Sequence, residues 1–204
     1  EVCGIDVAKD PIGVRSRLGY MPEHDCLPLD QTAADVVSTF GELSGLPPRA
    51  ARQRASDILD LVGLDEARFR PIGGFSTGMR QRTKLAQALV GDPQLVLLDE
   101  PTAGLDPAAS DSFCDLLRGL HRELGLTVVM VTHDLDTLFA LSTRVAVLAD
   151  QRVLVAGTVD EVAAHPHPFI QEYFHGARGE SAMRLHKAKL AEQAEQAQQA
   201  QEQT

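Results

Sequence analysis

No stretch of this 204-residue chain approaches the ~18 consecutive apolar residues that a membrane-spanning helix requires. Its first residues, EVCGIDVAKDP, lack the basic-then-apolar layout of a secretory leader. They also lack an initiating Met, which predicts a chain cut at its front. Cysteine is scarce: Cys3, Cys26 and Cys114 are odd in number, unevenly spaced and form no CxxC pair. That excludes a disulfide framework and a zinc cluster, and predicts a reducing, cytosolic setting with buried or half-buried free thiols. His165 and His167 stand close together, but no cysteine or carboxylate cluster lies beside them in the sequence to complete a metal site. Positive charge is also in deficit, with 19 Lys and Arg against 29 Asp and Glu, a net charge of −10. Gripping a phosphate backbone needs clustered Lys and Arg, so no nucleic-acid partner is expected. The basic residues that do gather, at 49–54 and from Arg80 to Lys84, fall on helical patterns and read as solvated faces.

What is present is an apolar fraction of 44 %, ordinary for a globular protein and enough for one good core. QLVLLDE and LTVVMVTH are short continuous runs of Val and Leu, the pattern of strands buried on both faces. Between them Phe113, Leu116, Leu117 and Leu120 recur at helical spacing, with Gly125 as a stop. Strand, helix, strand at this spacing predicts a βαβ unit and a parallel sheet. RVAVLAD and VLVAG, joined by a turn over Asp150 to Arg152, predict a hairpin that closes the sheet edge.

From Thr32 to Leu64 there is no strand pattern. One helix is expected over Ala33 to Leu43, and a second after Pro48 with the stripe Ala55, Ile58, Leu59 and Val62. A third starts near Ser76, carries Lys84, Leu85 and Leu89, and stops at Gly91-Asp92-Pro93. Near the end, a short helix over TVDEVAAH leads to Phe169, Ile170, Tyr173 and Phe174, expected on one helical face docked on the core. Residues 175–204 are low in complexity, rich in Ala, Gln and Glu, and predict a solvated helix or a disordered tail.

The candidate chemistry centres on Asp99 and Glu100. Successive side chains of a strand point to opposite faces, so two adjacent acids at its carboxyl end take different tasks. One can face Mg²⁺ and the other a water, in the crevice where parallel sheets bind ligands. That division suits phosphoryl transfer to water. Downstream, Gly104 permits a tight turn, Asp106 before Pro107 starts a helix, and His133 follows the next strand at the same sheet edge. Upstream, Ser76 and Gly78 open a helix whose free N–H groups favour an anion, and Glu23 tips the loop after GYMP.

In this order and spacing the motifs resemble those of the ATP-binding cassette (ABC) ATPases, from roughly Gly19 to Thr158. LVLLDEP resembles the family's Walker B motif, FSTGMRQR its signature, GLDP its D-loop, THD its switch histidine and GYMPEHD its Q-loop. The resemblance implies an α/β, parallel-sheet P-loop NTPase (RecA-like) core, incomplete at the N-terminus, over residues 1–174, with a helical subdomain inserted at about 24–92. It implies ATP and Mg²⁺ as cofactors, with Asp99 on the magnesium side, Glu23 reaching Mg²⁺ indirectly, Glu100 as catalytic base and His133 beside it. Ser76, Gly78 and Asp106 would bind nucleotide, Ser76 and Gly78 from the second cassette of a homodimer. A transmembrane permease partner at the cytoplasmic face of the inner or plasma membrane is implied as well.

The sequence departs from the family pattern in three places. Glu23 replaces the Q-loop glutamine, and the signature has Thr77 and Met79 where the family has Gly and Gln. Most consequentially, no Gly-Lys pair occurs anywhere, so the GxxxxGK[ST] phosphate loop is missing. A truncated chain explains this, and such a chain alone is expected to hydrolyse little ATP. An inert or regulatory cassette is the alternative, and a soluble ABC-type ATPase acting on ribosomes or DNA a further one. Up to about Pro107 the chain resembles exporter-type cassettes, and from about Ser110 bacterial phospholipid-transport ATPases, which raises a hybrid chain and lipid or drug export as expectations.

Overall fold

The structure is a computed structural model that describes residues 1–177 and 179–184. The chain divides into two compact units, the first from Glu1 to Thr132 and the second beginning at His133.

The first unit opens with a short helix α1 (Pro11–Arg15) and strand β1 (Leu18–Met21), then two helices, α2 (Ala33–Leu43) and α3 (Pro48–Leu61). Thr32 caps α2 by accepting the Asp35 N–H at 3.1 Å, and Pro48 occupies the first position of α3, where its missing N–H costs nothing. Ala51, Ala55, Ile58 and Leu59 form the buried stripe of α3, which packs on α2. Helix α4 (Thr77–Leu89) follows and packs on α2, α3 and β1. Strand β2 (Leu95–Asp99), helix α5 (Pro107–Leu124) and strand β3 (Thr127–Val131) complete the unit as the expected βαβ. Gly125 ends α5 at φ +63°, a left-handed conformation that glycine adopts without a Cβ penalty.

The sheet is parallel in the order β1-β2-β3, with Leu18 opposite Leu95 and Leu95 opposite Thr127. This register puts Met21, Val96 and Leu98 on one buried face, where Leu85 and Leu89 of α4 and Leu117 and Leu120 of α5 meet them. Tyr20, Leu97, Asp99, Val129 and Val131 fall on the other face, where Tyr20 is 50 % exposed and Val131 62 %. The expectation of strands buried on both faces is therefore corrected. A Val- and Leu-rich run records what a strand tolerates, whereas α4 and α5 cover only one side.

The second unit contains α6 (Leu135–Leu141), β4 (Val145–Ala149), β5 (Arg152–Gly157), α7 (Val159–Ala163) and α8 (Pro168–His175). The hairpin forms as expected, through Asp150 and Gln151 at φ +53° and +59°, the primed geometry that matches strand twist. It does not close the parallel sheet: β4 and β5 form a two-stranded sheet of their own. Thr158 and Glu161 cap α7 reciprocally. Leu138, Phe139, Val162, Ile170 and Phe174 make the core, with Phe139 edge-on to Phe174 at 6.1 Å. Phe169 departs from its expected docking, since it is 46 % exposed and stacks on Tyr173 instead. Of the low-complexity tail, residues 179–184 are helical and bring Ala182 into this core, so that part is not simply solvated. Residues 185–204 lie outside the described region.

Among the described residues no helix is long and apolar enough to cross a membrane. Of the cysteines Cys114 is buried and Cys3 intermediate, but Cys26 is exposed, against expectation.

Candidate functional site

The first unit builds its site at the carboxyl end of β2. Asp99 is the last strand residue and lies on the open face, where Tyr20 Oη donates to its Oδ2 at 3.4 Å. Partial burial, and then the Asp99 charge, push the Tyr20 phenol above its ordinary value, which keeps it protonated as the donor. At Glu100 the backbone turns to φ +44°, a left-handed conformation uncommon outside glycine. Strand alternation thus stops at Glu100. Two contacts from the end of β3 fix this turn: the Glu100 N–H donates to Val131 O at 2.9 Å, and Thr132 Oγ1 donates to Glu100 Oε2 at 3.1 Å. A second left-handed turn at Gly104, φ +73°, then leads to Asp106. Its Oδ1 accepts the Ala109 N–H at 2.9 Å and caps α5. Asp106 is thus engaged as a helix cap, and a role toward nucleotide stays with the resemblance.

Ser76 caps α4 by accepting the Met79 N–H at 3.3 Å. A Cβ built on Gly78 would meet only Leu105 Cδ2 at 3.8 Å and Ser76 Oγ at 4.0 Å, both ordinary contacts. Nothing within the described chain demands glycine there. The start of α4 and the loop after Glu100 are brought together: Gln81 Nε2 donates to Ala103 O at 3.0 Å, and a Cβ on Gly104 would lie 3.4 Å from Thr77 Cγ2.

Glu23 is exposed on the loop after β1, and its carbonyl accepts from Lys84 Nζ at 2.9 Å, as does that of Pro22. The reading of Arg80 to Lys84 as a solvated face is corrected here, because Lys84 is only 2 % exposed. Burial pulls its ammonium below the usual lysine range, opposed by the ionisable Cys26 thiol and by the carboxylates of Asp25, Glu23 and Asp99.

His133 begins the second unit, where its carbonyl accepts from Tyr173 Oη at 2.9 Å, while its chain neighbour Thr132 reaches Glu100. Asp150 comes within 3.4 Å of His167, a carboxylate that the sequence reading did not foresee. Even so, among the described residues no group of three His, Cys, Asp or Glu side chains could hold a metal ion. Tyr20, Thr132, Gln81 and Lys84 were not singled out as site residues. For Thr132 the signal lay in its place before His133; for Lys84 it lay in its helical phase.

A parallel sheet with paired acids at a strand's carboxyl end, and a capped helix packed beside the loop that follows, defines a domain of the P-loop NTPase type. The family model described as "ABC transporter" matches residues 4–103. The chain is 40 % identical over 153 residues to the methionine import ATP-binding protein MetN of Streptomyces griseus, covering 74 % of this chain and 42 % of that protein. Against its namesake in Caulobacter vibrioides the identity is 38 %, covering 75 % of this chain and 46 % of the relative. Among solved structures, an inward-facing conformation of an ABC transporter assigned to the metal-chelate type superposes with a TM-score of 0.66 at 27 % identity. That match covers 72 % of this chain and 60 % of the other. What the chain is similar to, in sequence and in fold, is the ATPase cassette of ABC transporters. It spans less than half the length of these two methionine import relatives. Both relatives are named for import, so they do not carry the resemblance to exporter-type or phospholipid-transport cassettes.

Proposed function

We propose that this chain is the nucleotide-binding subunit of a bacterial ABC transporter, which binds and hydrolyses Mg-ATP between two cassettes and passes the resulting motion to a membrane permease. The observation that carries the reading is the pair at the end of β2: Asp99 on an open face, and Glu100 turned and held by Val131 O and Thr132 Oγ1. Asp99 offers a hard carboxylate oxygen of the kind Mg²⁺ prefers, met by a long 3.4 Å contact from Tyr20. Mg²⁺ bound there would supply positive charge to the phosphate oxygens, with Glu23 reaching it indirectly. Glu100, aimed by Thr132, takes the proton of the attacking water. His133 is assigned to the same reaction by the family motif. Ser76 and Gly78 present the first N–H groups of α4 to phosphate bound by the opposing cassette.

The open sheet face beside Asp99 supports a further element covering it, and a phosphate-binding loop on that element would supply the grip that these 204 residues lack. A place at the cytoplasmic face of the membrane follows from the same proposal. For cargo, the methionine import relatives make import the nearer comparison than lipid or drug export. The inert cassette keeps a place because no Gly-Lys pair is present.

Titration with a fluorescent ATP analogue separates these readings. Mg²⁺-dependent binding that disappears in Asp99→Asn overturns the inert cassette, whereas binding unchanged in Asp99→Asn removes Asp99 from the metal side. Gly78→Ala gives an independent check. Alanine in a roomy helical position should raise stability by up to about 1 kcal/mol. The same methyl group would stand where an opposing phosphate approaches, so ATP-dependent dimerisation should fall in light scattering. Dimerisation as strong as wild type would remove Gly78 from the composite site.

A further inference from the structure

Lysine is almost never fully buried without partners, because its ammonium loses a strong hydration shell. Lys84 is 2 % exposed, and its hydrogen bonds go to two backbone carbonyls, Pro22 O and Glu23 O, each at 2.9 Å. Four residues earlier on the same face of α4, Arg80 Nη1 lies 3.5 Å from Asp25 Oδ2 and Arg80 Nη2 donates to Gly73 O at 3.5 Å. The loop after β1 is therefore laid along α4, with residues 22 and 23 held at Lys84 and residue 25 held one turn nearer Ser76. Asp25, Glu23, Asp99 and Cys26 surround the ammonium with negative or ionisable groups, which offsets part of the cost of burying it.

We propose that Lys84 is a positioning residue: it clamps the Pro22–Glu23 backbone and so ties the loop that carries Glu23 to the helix that begins at Ser76. The clamp acts on carbonyls, so it fixes where the Glu23 side chain starts without engaging its carboxylate. Glu23 and Ser76 are then set by one helix, and a shift of α4 moves both. That Glu23 serves nucleotide rests on the function proposed above, whereas the clamp itself does not.

The test is NMR on the 204-residue chain without nucleotide. In the wild type, the Lys84 ammonium should give an ¹⁵N-detected NH₃⁺ signal at neutral pH, shielded from the exchange with water that erases exposed lysines. Lys84→Met keeps the bulk of the chain and removes all the donors. Backbone order parameters at Glu23, His24, Asp25 and Cys26 should then fall from about 0.85 to below about 0.6, with β2 and α5 unchanged. Glu23→Gln, which keeps the carbonyl, should leave loop order as in the wild type. A loop as ordered in Lys84→Met as in the wild type would overturn the proposal. So would loosening by Glu23→Gln to the same degree, since the hold would then run through the carboxylate. If Lys84→Met does not fold, the wild-type signal decides, and the absence of a protected NH₃⁺ resonance overturns the clamp. Because no nucleotide is present, failure of the clamp and failure of ATP binding are read separately.

Discussion

Replacing Glu100 with glutamine is expected to lower ATP hydrolysis by roughly 10²- to 10⁴-fold in an assembled cassette dimer, the range a positioned general base contributes. The substitution keeps the side chain's length and an oxygen that can still accept from Thr132 Oγ1. The Glu100 N–H bond to Val131 O and the left-handed turn at φ +44° concern the backbone and persist. Unfolding temperature and analogue binding should therefore stay close to wild type, and the loss should fall on kcat measured in single turnover. An amide cannot take the proton of water, which is why the effect is large although so few atoms change. Hydrolysis unaltered in Glu100→Gln would remove the residue from the role of base. A variant that also lost binding would show that the carboxylate charge holds the site together.

Why Asp99 and Glu100 could be read from the sequence, and Lys84 could not, is a matter of range. The acids end a four-residue apolar run, and a run followed by acid, proline and glycine is a local signal. Ser76 and Asp106 were legible for the same reason, since a cap acts on N–H groups three residues away. The open sheet face was not legible. Leu97, Val129 and Val131 have the composition of doubly buried strand residues, and only the placement of α4 and α5 on one side leaves their face uncovered. Lys84 misled for a subtler reason. With Arg80 it gives two cations four residues apart, the usual look of a solvated stripe. Its helical phase says otherwise: Gln81, Lys84, Leu85 and Ala88 recur at i, i+3, i+4 and i+7, and all four are buried. A lysine inside an apolar phase calls for carbonyl or acidic partners, but their identity depends on which loop crosses the helix. Thr132 was hidden similarly, because the bond from its hydroxyl to Glu100 exists only once β3 lies beside β2.

Gly19→Ala is expected to destabilise the fold more than any other single added methyl group in the first unit. A Cβ at this position would lie 2.2 Å from Ala88 O and 3.0 Å from Ala88 C, inside the backbone of α4, and 3.2 Å from Pro93 Cγ. A side chain could rotate away from such a contact, but a helix backbone can only move as a body. Leu85 and Leu89 anchor that body over Val96 and Leu98. Overpacking of this kind costs about 3 kcal/mol. In a chain of this size that corresponds to a fall of roughly 6–12 °C in the unfolding temperature. Gly119→Ala is the control: it lies within α5 with no atom inside 4 Å of its added Cβ, so it should leave stability level or raise it by up to about 1 kcal/mol. The same geometry reaches the site. Gly19 sets how closely β1 approaches α4, and β1 leads directly to Pro22 and Glu23, whose carbonyls Lys84 holds at 2.9 Å. A helix pushed outward at Ala88, one turn from Lys84, lengthens those bonds first. Gly19→Ala should therefore loosen residues 23–26 at temperatures well below the unfolding transition. A variant with wild-type unfolding temperature and loop order would show that β1 and α4 do not meet at Ala88, and with that contact the stated position of the loop would fail.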